Sequence, residues 1–573
     1  MPGTWTHLTN QPAFSASTML LLTDGTVMCQ NSGAHDWHRL TPDVHGSYVN
    51  GTWSALASTT HAPLYYGSAV LRDGRVFRAG GEYDNFVPLD INVVEIFDPV
   101  ADTWTPVASP PGVTIGDAVT CVLRNGHVLL GNIGGGPPVV YDPVANTWTP
   151  TGPKANNTTS EETWALLADG CVLTLDCFGH PHAEKYIPAS NSWVSAGNTP
   201  GDLVFDVPKE IGPALRLPDG RVFCVGGTGR TALYAESAIQ TAPGTFIPGP
   251  TLPSIAGFQL GAMDAPGVLT PNGKVLFAVG PVDDSQNYRA PTYLFEYDPA
   301  ANTVTQNFGA PNLSGVPYNS RMLLLPTGQV LFANSTTFIA VYTPSGQPHP
   351  AWRPVITSCP TALQHGHTYT LQGRQLNGLS QACSYGDDAQ MATNYPMARI
   401  QYPNGRVVYC RTAHHSTMAV ATGAAVVSTQ FTVPVGAPAG WAKLSVIANG
   451  IASAPVAVHI AAVPSAFASA PQTDSGLQPP IDDGSNAGQP GLEKIVNDVT
   501  TQVDEVAAQI DRISAQVDLL GTAVQLHAEF IGEQLRPNGS AAPAQDLQPV
   551  PDAVTTGKNP IPPPRGDTAP AYR

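Results

Sequence analysis

The chain has 573 residues, with 26 Lys+Arg against 43 Asp+Glu and a formal net charge of −17. No run of basic side chains is present to neutralise phosphates, which excludes nucleic-acid binding, and no apolar run nears the roughly 18 residues needed to span a bilayer. Charged residues are 12% of the chain, about half the usual share, whereas 55 Gly and 56 Pro favour turn-rich β structure for most of its length.

The opening Met1-Pro-Gly-Thr-Trp5 has neither a basic region nor an apolar one, so no secretory signal is expected and the compartment is left unassigned. The eight cysteines (29, 121, 171, 177, 224, 359, 383, 410) show no CxxC pair and no metal-ligand spacing. Most sit in apolar runs and are expected as buried thiols, with a Cys383–Cys410 disulfide as the alternative.

Along the first 350 residues one unit recurs: an apolar strand, a tight turn, and a second apolar strand. The turns are Asp24-Gly25, Asp73-Gly74, Asn125-Gly126, Asp169-Gly170, Asp219-Gly220, Asn272-Gly273 and Thr327-Gly328. Asn-Gly and Asp-Gly suit two-residue hairpin loops because both residues tolerate φ > 0. The spacing of about 50 residues is that of kelch repeats. Several units continue into an aromatic-x-Pro turn and a Trp, as in Phe97-Asp98-Pro99…Trp104, Tyr141-Asp142-Pro143…Trp148 and Tyr186-Ile187-Pro188…Trp193. Each unit reads as a four-stranded antiparallel blade. The seventh unit lacks its Trp strand, which Gly3-Thr4-Trp5-Thr6-His7-Leu8 can supply, leaving no exposed sheet edge. The expected fold is all-β: a seven-bladed kelch-type β-propeller over 1–350.

Short alternating strands then continue over 351–462 and read as a small β-sandwich. A Ser-, Ala-, Pro- and Gly-rich stretch, 463–490, reads as a flexible linker. In 491–536, apolar residues fall on heptads at Val496, Val499, Val503, Val506, Ile510, Ile513, Val517, Leu520, Val524 and Ile531. This pattern predicts a coiled-coil helix. Its β-branched a positions and mostly β-branched d positions favour a trimer over a dimer, the alternative being a single amphipathic helix docked on the propeller. The Pro- and Ala-rich 537–573 reads as a disordered tail.

A ring of seven kelch units followed by a sandwich that opens Ala382-Cys-Ser-Tyr-Gly-Asp-Asp and carries Thr412-Ala-His-His-Ser-Thr417 resembles the galactose oxidase and glyoxal oxidase family. The resemblance covers about 1–460 and implies that the sandwich is an immunoglobulin-like, early-set domain. It also implies a copper centre built from a Cys cross-linked to a Tyr, a Tyr-His pair in the last blade and a C-terminal His. In the repeat register these fall on Ile211, Asp264 (Phe258 if gapped), Tyr318-Asn319 and His415. Three of the five are changed to residues that cannot do that work, so copper and radical oxidase activity are not expected.

The same register shows what replaces them. Nine residues before each turn glycine stand Ala16, Tyr65, Asp117, Glu161, Ile211, Asp264 and Asn319, with Glu162, Glu210 and Tyr318 adjacent to ring positions. The resemblance puts these at the mouth of a central channel, with His415 reaching in from above. Crowded carboxylates raise one another's pKa unless they share a cation or a proton, so the ring is a candidate for a hard metal ion, a cationic or polar ligand, or acid/base chemistry, against the plainer reading of solvated channel-mouth side chains. The candidate ligand-binding residues are Tyr65, Asp117, Glu161, Glu210, Asp264, Tyr318, Asn319 and His415. Should the site be catalytic, Glu161 and Asp264 are the candidate acid and base, assisted by Tyr318 or His415. Tyr65, Trp164, Phe258 and Tyr288 could stack on a sugar. His180 and His182, and the pairs Asp283-Asp284 and Asp387-Asp388, read as loop and turn residues. The expected function is an oligomeric, non-catalytic binding or display protein with a carbohydrate or other polar ligand, self-associating through Val496–Ile531. A non-redox carbohydrate-active enzyme using the channel-mouth carboxylates is the alternative, with a divergent copper oxidase after it.

Overall fold

Seven hairpin loops set the architecture. Each of the seven turn glycines adopts a left-handed backbone, with φ between +80° at Gly328 and +97° at Gly220. The Gly25 amide donates to the Leu22 carbonyl at 3.0 Å, and the Leu22 amide to the Thr26 carbonyl at 2.8 Å. The loop is therefore the three residues Thr23-Asp24-Gly25, a three-residue hairpin with glycine in its left-handed place, and not the two-residue loop that the Asp-Gly pair suggests. The acidic residue keeps an ordinary φ and works through its side chain. Asp24, Asp169 and Asp219 each accept from the amide two residues on, at 2.9, 2.9 and 3.0 Å.

A computed structural model describes residues 3–462 apart from Pro208, 283–287 and Asp388. The described chain folds around seven four-stranded antiparallel sheets, the sixth carrying extra short strands. Their innermost strands are Ala16–Leu21, Gly67–Val70, Thr120–Val122, Thr163–Leu166, Ile211–Arg216, Gly267–Leu269 and Arg321–Leu324. Each touches the next and the last touches the first, so the sheets close into a β-propeller. The seventh sheet is completed by the N-terminal strand, in the register Thr4↔Thr343 to His7↔Ala340.

The outer-strand tryptophans join neighbouring sheets by hydrogen bonds as well as packing. The indole N–H of Trp104 donates to Ala57 O at 3.0 Å, that of Trp148 to Ala108 O at 2.7 Å, and that of Trp193 to Thr151 Oγ1 at 3.0 Å. Trp5 reaches Asn307 Oδ1 across the ring closure at 2.8 Å. In each case the acceptor lies on, or just after, the outer strand of the preceding sheet.

Beyond the ring, two further sheets share the strand Val407–Ala413. Its first half pairs with Met397–Gln401 and its second half with Val427–Thr432. Leu371 and Phe431 from one sheet meet Ile400, Leu444, Val446 and Val458 from the other in a single core. A segment between these strands leaves its own sheets altogether: Cys383–Ser384 pairs antiparallel with Gly267–Val268, an innermost propeller strand. Cys383 is thus held against the propeller while Cys410 lies in the core between the two sheets, and both are free thiols. The expected linker, the Val496–Ile531 heptads and the tail all lie outside the described residues, as do Asp283, Asp284 and Asp388.

Candidate functional site

The ring residues stand at the start of the innermost strands or just before them. At this point the backbone turns left-handed in five consecutive sheets, at Tyr65 (φ 50°), Gly116 (51°), Glu161 (64°), Lys209 (68°) and Asp264 (45°). Four of these are not glycine, and each costs of order 1 kcal/mol or more relative to a relaxed backbone. In the fifth sheet the functional side chain is Glu210. The ring position itself, Ile211, is a fully buried apolar residue.

Five carboxylates converge. Ligand oxygens of Glu161, Glu210 and Asp264 all lie within 4.8 Å of one another, and the same holds for Asp117, Glu161 and Asp387. Glu161 belongs to both groups. Ser160 Oγ donates to Glu161 Oε1 at 3.0 Å, and the Cys177 thiol to the Glu161 carbonyl at 2.8 Å. The Tyr288 hydroxyl donates to Glu210 Oε1. Glu210 is 2% exposed. Burial, followed by the charges of Asp264 and Glu161, a hydrogen bond shared with Asp264, and the charge of Asp387, holds its carboxyl well above the usual carboxylate range. Burial and the same acids push the Tyr288 phenol up, as burial, Asp264 and Glu82 do for Tyr318.

Aromatic rings border the acids. Tyr318 lies 5.0 Å from Tyr288 and 6.2 Å from Tyr65, centroid to centroid, edge-on to both. The Arg321 guanidinium sits 5.7 Å from the Tyr65 ring and 4.2 Å from the Tyr385 ring. Asn319 shares the short helical turn Pro317–Asn319 with Tyr318, and its carbonyl accepts from Ser335 Oγ at 3.3 Å. Phe258 is 36% exposed beneath the Arg289 guanidinium. Trp164 is buried, and its N–H is given to Glu162 at 3.0 Å. Glu162 also pairs with Lys154 and accepts from Thr174. Those two side chains belong to the packing of the fourth sheet.

Two expectations are corrected. His415 does not reach the acids. It is fully buried at the hairpin-loop end, where its amide donates to Arg72 O and its Nδ1 meets Thr429 Oγ1 at 2.9 Å. The second domain contributes Asp387 instead, one of a pair that the sequence marks as turn residues. After Cys383–Ser384 joins the channel-lining strand, the Tyr385 hydroxyl donates to Tyr318 O at 2.5 Å. Gly386 then passes so close that a Cβ there would meet Ile211 O at 3.2 Å and Asp264 Oδ1 at 3.5 Å. Asp387 follows, 3% exposed, and Ala389 N donates to Tyr66 O at 3.0 Å. The one sequence signal available was the Tyr-Gly-Asp order within Ala382–Asp387: a glycine for close approach ahead of an acid. His180 pairs with Asp202 at 2.9 Å and Asp206 at 3.2 Å, a group of its own that includes none of the ring acids.

The copper centre implied by the family resemblance does not fit these residues. That centre needs imidazole ligands, and neither group of ring acids includes a histidine, since His415 lies at the hairpin-loop end. What remains is a set of carboxylate oxygens, which suits hard cations and hydroxyl-rich ligands. A cleft of ≈ 850 Å³ lies elsewhere, at the hairpin-loop end between Arg124, Asp169, Gln240 and the 416–427 segment, and among the described residues no comparable group of acids converges on it.

No family model matches the chain, and no curated protein matches it. Among solved structures it is similar to a fungal alcohol oxidase of the AA5 family in complex with copper, at 16% identity over 80% of this chain and 100% of that one, with a TM-score of 0.49. It is also similar to YjhT, at 14% identity over 53% of this chain and 99% of that one, TM-score 0.36. A third is YCF48 from Cyanidioschyzon merolae, at 8% identity over 59% and 98%, TM-score 0.39. Likeness at this level is one of fold and carries no chemistry from those proteins to this chain.

Proposed function

We propose that the protein is a binding or display protein. In this reading a seven-bladed propeller of galactose-oxidase type (1–350), joined to an early-set sandwich (351–462), takes a hydroxyl-rich ligand of the carbohydrate class at the acidic channel mouth and performs no copper-radical chemistry. The observation that carries the reading is that Asp117, Glu161, Glu210, Asp264 and Asp387, from four sheets and a threaded segment, form two adjoining groups of acids that share Glu161. Carboxylates accept hydrogen bonds from sugar hydroxyls, and the half-buried rings of Tyr65 and Tyr318 offer faces and edges beside them. The heptads of Val496–Ile531 would gather several such weak sites, which suits a repetitive surface glycan.

Glycan binding by the full-length chain tests this reading. On a glycan array followed by calorimetry, the wild-type protein is expected to bind at least one class of oligosaccharide, with Glu161→Gln weakening it tenfold or more. Binding unchanged in that variant would place the ligand elsewhere and sink the proposal. A second reading, a non-redox carbohydrate-active enzyme, is favoured by the Glu210–Asp264 pair, in which burial and the neighbouring acid raise the Glu210 carboxyl above the usual range. Release of reducing ends from the bound oligosaccharide, abolished by Asp264→Asn, would select it.

A further inference from the structure

We infer that Glu161, Glu210 and Asp264 hold a hard, oxygen-preferring divalent cation of the calcium class, with Asp117 and Asp387 on the far side of Glu161 as further ligands. This deepens the proposed ligand site and rests on it for location. Two observations bear on it. The ligand oxygens lie within 4.8 Å of one another, close enough to share one ion, since oxygens on opposite sides of it at Ca–O distances of roughly 2.3–2.6 Å stand about that far apart. Glu210, 98% removed from solvent, has its Oε1 satisfied by Tyr288, while no hydrogen-bond donor reaches its Oε2 among the described residues. A buried, half-satisfied carboxylate is costly, and a cation between it and Asp264 removes the cost.

The donor set chooses the ion. It holds no imidazole, and the nearest thiol, that of Cys177, is held protonated by burial and the surrounding acids. Softer metals that need nitrogen or thiolate are thereby disfavoured. A bound cation with open positions would in turn offer coordination to the paired hydroxyls of a sugar, giving the ligand site its specificity.

The experiment uses the full-length protein freed of metal by chelator, with CaCl₂ as the probe and MnCl₂ alongside, read by calorimetry and thermal melting. One ion per chain is expected, with a higher melting temperature. In chelator, Glu210→Gln should melt above the wild type, because the carboxylate crowding is relieved, and it should gain nothing from the cation; Asp264→Asn should bind at least tenfold more weakly. No heat and no melting shift with either ion up to about 10 mM, beyond the weakest class of protein calcium sites, would overturn the inference, as would equal shifts in both variants. Glycan binding undiminished in chelator, with no ion bound, would overturn it while leaving the binding reading intact. An ion bound without any glycan would support it and sink that reading instead.

Discussion

His415 and Glu210 are both buried titratable side chains, and the fold moves them in opposite senses. Burial, then the charges of Arg72 and His414, holds the His415 imidazole down to about 3, against an ordinary value near 6.5. Below pH 6.5 the unfolded chain takes up a proton that the folded chain refuses. Stability present above that pH is therefore lost progressively as pH falls toward 3, by up to about 1.4 kcal/mol per pH unit from this group alone. Glu210 is raised, so its folded form gains relative stability as pH falls through its folded value toward the ordinary carboxylate range. His415→Gln, which can keep the bond to Thr429, isolates the first effect: urea unfolding at pH 7 and pH 4.5 should show a smaller loss in the variant than in the wild type. Equal losses would mean that His415 titrates normally. At this scale the sequence reveals Asp117, Glu161 and Asp264, because a repeat register transfers directly into ring position. It does not reveal Asp387, whose place depends on the pairing of Cys383–Ser384 with Gly267–Val268 across more than a hundred residues of chain.

The elements are legible because each strand–turn–strand unit repeats the same local chemistry. Apolar runs flank a glycine that must be left-handed, and a Trp two strands later closes the joint to the preceding sheet. The loop length is not legible, since Asp-Gly is compatible with loops of two residues and of three, and the extra residue is visible only in the hydrogen bonds. Gly170 offers a clean test of the backbone requirement: its φ is +90°, and a Cβ there would meet nothing nearer than the Arg124 side chain at 3.7 Å. Gly170→Ala should therefore cost about 1 kcal/mol from conformation alone, read as a lower urea midpoint with an unchanged slope. A loss well above that would mean that the glycine is held by contacts rather than by φ. The Trp bonds carry a corollary for the fifth and sixth sheets. There Phe246 and Val304 occupy the Trp position and offer no N–H, so those joints are closed by packing without an indole bond.

At the scale of the molecule, one acidic site per propeller is a weak device unless several act together, and the heptads of Val496–Ile531 are expected to gather them. The pattern places Val or Ile at every a position and also at d positions 499, 506 and 513, and β-branched residues at both a and d lead to the expectation of three strands. These residues lie outside the described part of the chain, and the expectation rests on their sequence periodicity. Replacing Ile510 and Ile513 together by Asp puts two charges into adjacent layers of the seam, at a cost that a helix bundle of this length cannot absorb. The double variant should run as a monomer in light scattering where the parent runs as a trimer. Its affinity for a single soluble oligosaccharide should be unchanged, while its retention on a surface densely coated with the same glycan should fall by roughly a hundredfold, since only linked sites profit from high effective concentration. A parent that is already monomeric would leave the helix as a docked amphipathic segment. A monomeric variant that keeps full retention on the dense surface would show that the display role does not depend on assembly.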